Sequence, residues 1–178
     1  FLARWPGRIP AGTTSGRLLC LTDMIATFAA ITGQALPEDA GEDSFDALPA
    51  LTGQGGTAKA RANLIVQAHS APAFRKSGRT DLWAVREGNW KLVMGQGSGY
   101  STEKGGRAPY LKFAQVGMSN SDFTPDGELV TGAPPMQLYD LDSDPCETTN
   151  LYRERPDEVA RLAELFGRLR DARRSRFP

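Results

Sequence analysis

Leu82-Trp83-Ala84-Val85-Arg86-Glu87-Gly88-Asn89-Trp90-Lys91-Leu92-Val93 is the stretch on which the fold turns. Two β-rich runs flank Gly88-Asn89, a pair suited to a tight turn whose first position takes φ > 0 without steric penalty. That turn sets Glu87 opposite Trp90, Val85 opposite Leu92 and Trp83 opposite Met94. One face then collects Trp83, Val85, Trp90, Leu92 and Met94, and the other takes Ala84, Arg86, Lys91 and Val93. A turn longer by one residue would place Arg86 against Trp90 and Val85 against Lys91, mixing charge into the apolar face, so the shorter turn is expected. A lone hairpin is marginal in water, and this one needs partners.

Working outward, Asn63 to Ser70 has strand character, as does Met136 to Leu141, which Asp142-Ser143-Asp144-Pro145 turns into an extended segment ending near Asn150. Pro156 suits a first helical position and Asp157 and Glu158 favour the positive end of the dipole. Val159, Leu162, Phe166 and Leu169 form one apolar stripe. The arginines that follow, Arg168, Arg170, Arg173, Arg174 and Arg176, read as a solvated helix end. Nearer the N-terminus, Phe1 to Arg4 reads as a strand end stopped by Trp5-Pro6-Gly7. Leu18 to Leu21 is either a buried strand or a helix start, which so short a run leaves open. A helix is expected from Asp23 to Thr32, with Thr22 as N-cap, Gly33 at the C′ position and most of its surface buried through Met24, Phe28 and Ile31. Gln34 to Lys59 is a polar, Gly-rich surface connection anchored at Leu48 to Leu51, and 95–135 is a long Gly/Ser/Pro-rich loop.

Composition bounds the function. The 178 residues are 40% hydrophobic and 24% charged, ordinary for a globular chain, and Lys plus Arg equals Asp plus Glu at 21 each. That balance argues against nucleic acid or an anionic membrane surface as partner. No apolar run reaches the length of a membrane span. The chain opens on Phe1 with neither a Met nor a charged-then-apolar leader, so a fragment of a longer protein is the expectation. Asp140, Asp142 and Asp144 alternate like the start of a calcium loop. Pro145 and Leu151, however, stand where such a loop needs Gly and Glu, and a turn is the better reading. Cys20 and Cys146 either pair or stay as free packing thiols; neither has a neighbouring His or a Cys-x-x-Cys partner. His69, the single histidine, stands at a strand end, as a site residue or as a structural or solvated imidazole. One histidine alone builds neither a Ser-His-Asp triad within this segment nor a His-rich metal site.

The order of several segments carries a family resemblance. Arg4 to Gly12, then Leu21-Thr22-Asp23-Met24 entering an Ala-rich helix, then Gly41-Glu42-Asp43-Ser44-Phe45, resemble the later part of a sulfatase of the arylsulfatase type. Gly88-Asn89-Trp90-Lys91-Leu92 is similar to that family's Gly-x-Trp-Lys-Leu. Gln137 to Leu151 is similar to its Gln-Leu-Tyr-Asp-Leu-x-x-Asp-Pro-x-Glu-x-x-Asn-Leu segment. The resemblance runs from Phe1 to about Leu169, and Ala26 departs from the Pro common in relatives.

The resemblance implies an α/β fold, the C-terminal portion of an alkaline-phosphatase-like sulfatase fold, with a small antiparallel sheet packed by a C-terminal helix. Residues 1–60 would end the catalytic domain, and 61–178 would form the C-terminal subdomain with a final helix at about 156–174. It implies hydrolysis of sulfate esters, with a sulfated small molecule or carbohydrate as substrate, in a parent enzyme using calcium and a formylglycine nucleophile, outside the cytoplasm. The nucleophile's Cys/Ser-x-Pro-x-Arg motif matches neither Cys20-Leu21-Thr22-Asp23-Met24 nor Cys146-Glu147-Thr148-Thr149-Asn150. No catalytic residue and no calcium ligand is therefore expected in this segment, and the segment alone is expected to be inactive. The resemblance gives His69 a place on the substrate side of the pocket. The alternatives are a phosphodiesterase or phosphonate hydrolase of the same superfamily, and a non-catalytic carbohydrate-binding module using Trp83, Trp90, Tyr100 and Tyr110. For that module, Trp83 and Trp90 fall on the apolar hairpin face, where core packing is their expected use.

Overall fold

The computed structural model describes residues 1–54, 61–68, 82–96, 119–125, 129–172 and 174–176. It divides into two compact units, one of Phe1–Leu64 with Arg168–Pro178 and one of Ile65–Gly167.

The second unit is built on the hairpin. Strands β2 (Leu82–Glu87) and β3 (Trp90–Val93) pair antiparallel with Glu87 opposite Trp90 and Val85 opposite Leu92, the register expected from the turn. Gly88 takes φ 58°, the left-handed conformation that the first turn position requires. Strands β1 (Asn63–Ala68) and β4 (Gln137–Asp140) complete an open sheet in the order β1-β2-β3-β4. Leu92 stands opposite both Val85 and Leu138, so one apolar row crosses the sheet, and all three side chains are fully buried.

Helix α3 (Pro156–Ala172) covers that face. Trp83 meets the Phe166 ring edge to face at 5.8 Å, Glu87 pairs with Arg161, and the Arg155 guanidinium lies 5.1 Å above the Trp90 ring. Leu162 and Leu165 are its buried residues, so Leu165 joins the stripe read from sequence. The opposite face is covered too. Val93, Gln137 and Tyr139 are buried there, and Asn120 donates to the Tyr139 hydroxyl at 2.9 Å. Part of the 95–135 loop therefore packs as structure, with Asp122 and Phe123 buried and Phe123 bridged to Leu129.

The first unit departs from expectation in four places. Phe1–Arg4 is not a strand, because no neighbouring strand pairs with it among the described residues, and Phe1 and Leu2 are exposed. A 3-10 turn (Leu21–Asp23) precedes helix α1 (Met24–Thr32), and the Thr22 side chain caps nothing; it reaches Asp43 O instead. The helix is not largely buried: Ile25 and Phe28 are 55% and 60% exposed, whereas Asp23 and Thr27 are buried. Polar side chains with backbone partners on one side have won the interior from the apolar row. Arg174 and Arg176 are not solvated either. Arg176 donates to the carbonyls of Pro37, Ala40 and Gly41 and Arg174 to that of Glu38, so the tail grips the 37–43 loop.

The C-terminal end of α1 is as expected. Gly33 takes φ 68°, its N–H donates to Ala30 O at 3.2 Å, and that of Gln34 donates to Ala29 O at 2.9 Å, the paired closure of a glycine-stopped helix. Leu48–Leu51 forms the short helix α2 behind the buried Ala47.

The sheet row gives a direct test. Leu92→Ala is expected to cost about 3 kcal/mol in urea melts, because a fully enclosed cavity is left. Arg86→Ala, on the other face, is expected to cost less than about 1 kcal/mol.

Candidate functional site

A densely bonded polar cluster of the first unit forms around Asp23. Its carboxylate accepts from Arg61 Nη2 at 2.6 Å and Nε at 3.0 Å, from the Cys20 N–H at 2.8 Å and from the Phe45 N–H at 3.0 Å. Arg61 is equally committed. It also donates to Asn63 O and Asp43 O, and its guanidinium lies 4.8 Å from the Phe45 ring centroid. Both side chains are out of water, 1% and 3% exposed, which is tolerable only because nearly every donor and acceptor is matched. Thr27 Oγ1 donates to Asp23 O at 2.7 Å and accepts from the Ala47 N–H at 3.0 Å, and Ser44 Oγ accepts from the Ala26 N–H at 2.8 Å. The cluster thus fastens the start of α1 to 43–47 and to Arg61.

A surface pocket beside the pair is lined by Arg17, Leu19, Asp46, Pro49 and the pair itself. Burial pushes the Asp23 carboxyl up. The Arg61 hydrogen bond and the Cys20 and Phe45 N–H groups outweigh it and hold the carboxyl below the usual range. A carboxylate so fully bonded is ionised and has no proton to give, so this pair organises structure and does no acid–base work.

The segment from Gln137 to Leu151 is likewise structural. Asn150 Oδ1 accepts from the Leu138 N–H at 2.9 Å, and the Leu151 N–H donates to Leu138 O at 2.8 Å, which folds the segment back along β4. Asn150 Nδ2 donates to the buried Asp122 at 2.8 Å, and Gln137 Nε2 donates to the same oxygen at 3.0 Å. Gln137 Oε1, buried, has no hydrogen-bond partner among the described residues. Asp140 and Asp144 spend their oxygens on the turn. Asp140 accepts from Asn89 Nδ2 and the Asp142 N–H, and Asp144 accepts from Thr148 Oγ1 and the Thr149 N–H. The Asn89 hydrogen bond holds the Asp140 carboxyl below its ordinary value. Glu147, at φ 56°, is held in the left-handed region while its carboxylate pairs with Lys91.

These residues do not fit a calcium centre. Among the described residues no group of three His, Cys, Asp or Glu side chains comes together, and the alternating aspartates are turn-formers. Cys20 and Cys146 are both free thiols, one in each unit. His69, Tyr100 and Tyr110 lie outside the described residues. Trp83 and Trp90 are both engaged by α3 and its leading residue, as packing groups. Sequence reasoning missed Arg61 and the grip of Asn150. The partners of Arg61 lie as far as 39 residues away, and no local pattern announces them.

No family model matches the chain. Over 93% of its length it is 28% identical to the N-acetylgalactosamine-6-O-sulfatase of Bacteroides thetaiotaomicron, and over 84% it is 32% identical to Arylsulfatase A of Homo sapiens. Its likeness to sulfatases thus runs along most of the chain. The chain spans about a quarter of those relatives, 26% and 25% of their lengths. A shorter stretch, 30% of the chain, is 46% identical to the Ulvan-active sulfatase of Formosa agariphila. The fold of the chain is shared with a solved structure described in complex with its substrate D-glucosamine-2-N,6-O-disulfate. The match has a TM-score of 0.58 at 18% identity, over 94% of this chain and 27% of that one. The α/β segment, an antiparallel sheet with a C-terminal helix, is thus a sulfatase-type architecture. No described helix is long and apolar enough to cross a membrane.

The buried pair makes a signed prediction. Asp23→Asn or Arg61→Met leaves its partner buried and uncompensated and is expected to cost about 3 kcal/mol. The folded Asp23 carboxyl titrates below its unfolded value of about 3.9, so its stabilisation is complete above that pH and is lost as pH falls through the folded value. A melting-temperature profile on the acid side should flatten in Asp23→Asn.

Proposed function

We propose that this chain is part of an enzyme that hydrolyses sulfate esters, releasing an alcohol and sulfate, with a sulfated carbohydrate as substrate. The observation that carries the reading is similarity to sulfatases along nearly the whole chain, 93% of it in one relative. The carbohydrate is supported by the name of that N-acetylgalactosamine-6-O-sulfatase and by the D-glucosamine-2-N,6-O-disulfate of the structural relative.

On this reading residues 1–60 end the catalytic domain and 61–178 form a supporting subdomain. The formylglycine implied for such an enzyme belongs to the remainder, since neither Cys20 nor Cys146 stands in a Cys/Ser-x-Pro-x-Arg motif, and the implied calcium is assigned there with it; the enzyme works in the periplasm or outside the cell. The carbohydrate-binding alternative is disfavoured by the engagement of Trp83 and Trp90 in packing.

The test compares the longer gene product containing Phe1–Pro178 with the segment alone. The longer product should turn over an aryl sulfate and the segment should not. Turnover by the segment, or turnover of a phosphodiester in preference to the sulfate, would overturn the assignment. His69 is the one residue of this segment that we place on the substrate side. In the longer enzyme His69→Ala should raise KM about tenfold, the equivalent of one lost hydrogen bond, with little change in kcat. An unchanged KM would remove His69 from the pocket.

A further inference from the structure

A buried carboxylate in the second unit has less company than its charge requires. Asp122 is 2% exposed, and its Oδ2 accepts from Gln137 Nε2 at 3.0 Å and from Asn150 Nδ2 at 2.8 Å. Both donors are neutral amides. Among the described residues no cationic side chain pairs with Asp122, and Lys91, on the same face of the sheet as Gln137, is committed to Glu147. The surroundings are negative. Burial most of all, with the Asp122, Glu147 and Asp144 carboxylates adding to it against the Asn120 hydrogen bond, pushes the Tyr139 hydroxyl up. The Gln137 amide presents a second unmet demand. Gln137 is fully buried, and its Oε1 has no hydrogen-bond partner among the described residues. Turning the amide over would aim that oxygen at the Asp122 carboxylate and lose the Nε2 bond.

We propose that the Asp122 carboxylate and Gln137 Oε1 together hold a monovalent cation of the sodium or potassium class. A buried charge is stable when it is paired or ligates a cation, and a buried oxygen without a donor calls for a water or an ion. Both demands meet here. Oε1 sits about 2.3 Å from Nε2 across the planar amide, so it lies within about 5.3 Å of the Asp122 oxygen that Nε2 binds. An ion with oxygen contacts of about 2.3 to 2.6 Å spans such a separation. The charge selects the class. One carboxylate supplies a single negative charge, which a monovalent ion neutralises. Calcium takes about six to eight oxygens and draws on several carboxylates. Among the described residues no group of three His, Cys, Asp or Glu side chains comes together. A water molecule would donate to the two oxygens and leave the buried charge unopposed. The ion ties residues 120–123 to β4, so the packing of that sheet face depends on which salt is present. This inference does not rest on the sulfatase reading.

The test melts the 178-residue chain in sodium, potassium and choline chloride at one ionic strength, choline being too large for a site enclosed by buried side chains. Sodium or potassium should raise the melting temperature saturably, by about 4 °C at roughly tenfold the dissociation constant, and choline should not. Gln137→Met, which keeps the length of the side chain and removes Oε1, and Asp122→Asn, which removes the charge, should each abolish the difference between salts. Gln137→Glu sets a second carboxylate against Asp122. It should melt below the wild type in choline and recover most of that loss in sodium chloride. Equal melting of the wild type in all three salts sinks the proposal, as does a salt preference that survives in both Gln137→Met and Asp122→Asn. If either variant fails to fold, the wild type decides alone. Sodium NMR should show line broadening that potassium or thallium(I) competes away, and an unbroadened line removes the site. An ordered water in place of an ion between Asp122 and Gln137, in a crystal soaked in thallium(I), assigns the place to solvent and overturns the proposal equally.

Discussion

A carboxylate and a guanidinium that have both left water must find each other and saturate nearly every remaining donor and acceptor, or the fold that encloses them is lost. Asp23 and Arg61 meet that requirement, and the orientation of the first unit follows from it. To reach Arg61, the chain must enter α1 through a tight 3-10 turn; to satisfy the carboxylate's other lone pairs, Cys20 and Phe45 must bring their N–H groups to it. The cost of desolvating such a pair is several kcal/mol per ion, offset only by this density of bonds. Its product is direction as much as stability, because it decides which side of α1 looks outward.

The second unit rests on apolar contact instead. Val85, Leu92 and Leu138 form a row closed to water, and α3 lies over it with Trp83 against Phe166. The opposite face of the sheet is held by a polar network around Asp122, Gln137 and Asn150. In the described residues both units place these polar side chains in scaffolding.

The hairpin was legible because alternation and a Gly-Asn turn admit one register, and each alternative would have put charge on the apolar face. Gly33 and Pro156 marked helix ends for equally local reasons, the first through a left-handed backbone and the second through a fixed φ. What escaped was long-range. Periodicity finds the apolar row of α1, but which side faces inward was settled by Ser44, Phe45, Ala47 and Arg61, 18 to 38 residues away. The gripping arginines Arg174 and Arg176 were invisible for the same reason, their carbonyl partners lying more than 130 residues back. Of the candidate site, the family was readable from ordered motifs, whereas the role of Asn150 as a brace was not, since an Asn in a motif looks the same whether it binds substrate or backbone.

That brace has a consequence for the chain in company. Among the described residues β4 ends the sheet, and an open strand edge is a template on which another molecule can add its own strand. At Leu138 the outward N–H and C=O are already taken by Asn150 and Leu151, and Asp140 O accepts from the Asp144 N–H at 2.8 Å. A foreign strand arriving at this border meets occupied groups and a turn standing across its path. The segment from Gln137 to Leu151 therefore protects the molecule from runaway β-polymerisation on that side, a service to solubility that a loss-of-activity screen would not reveal.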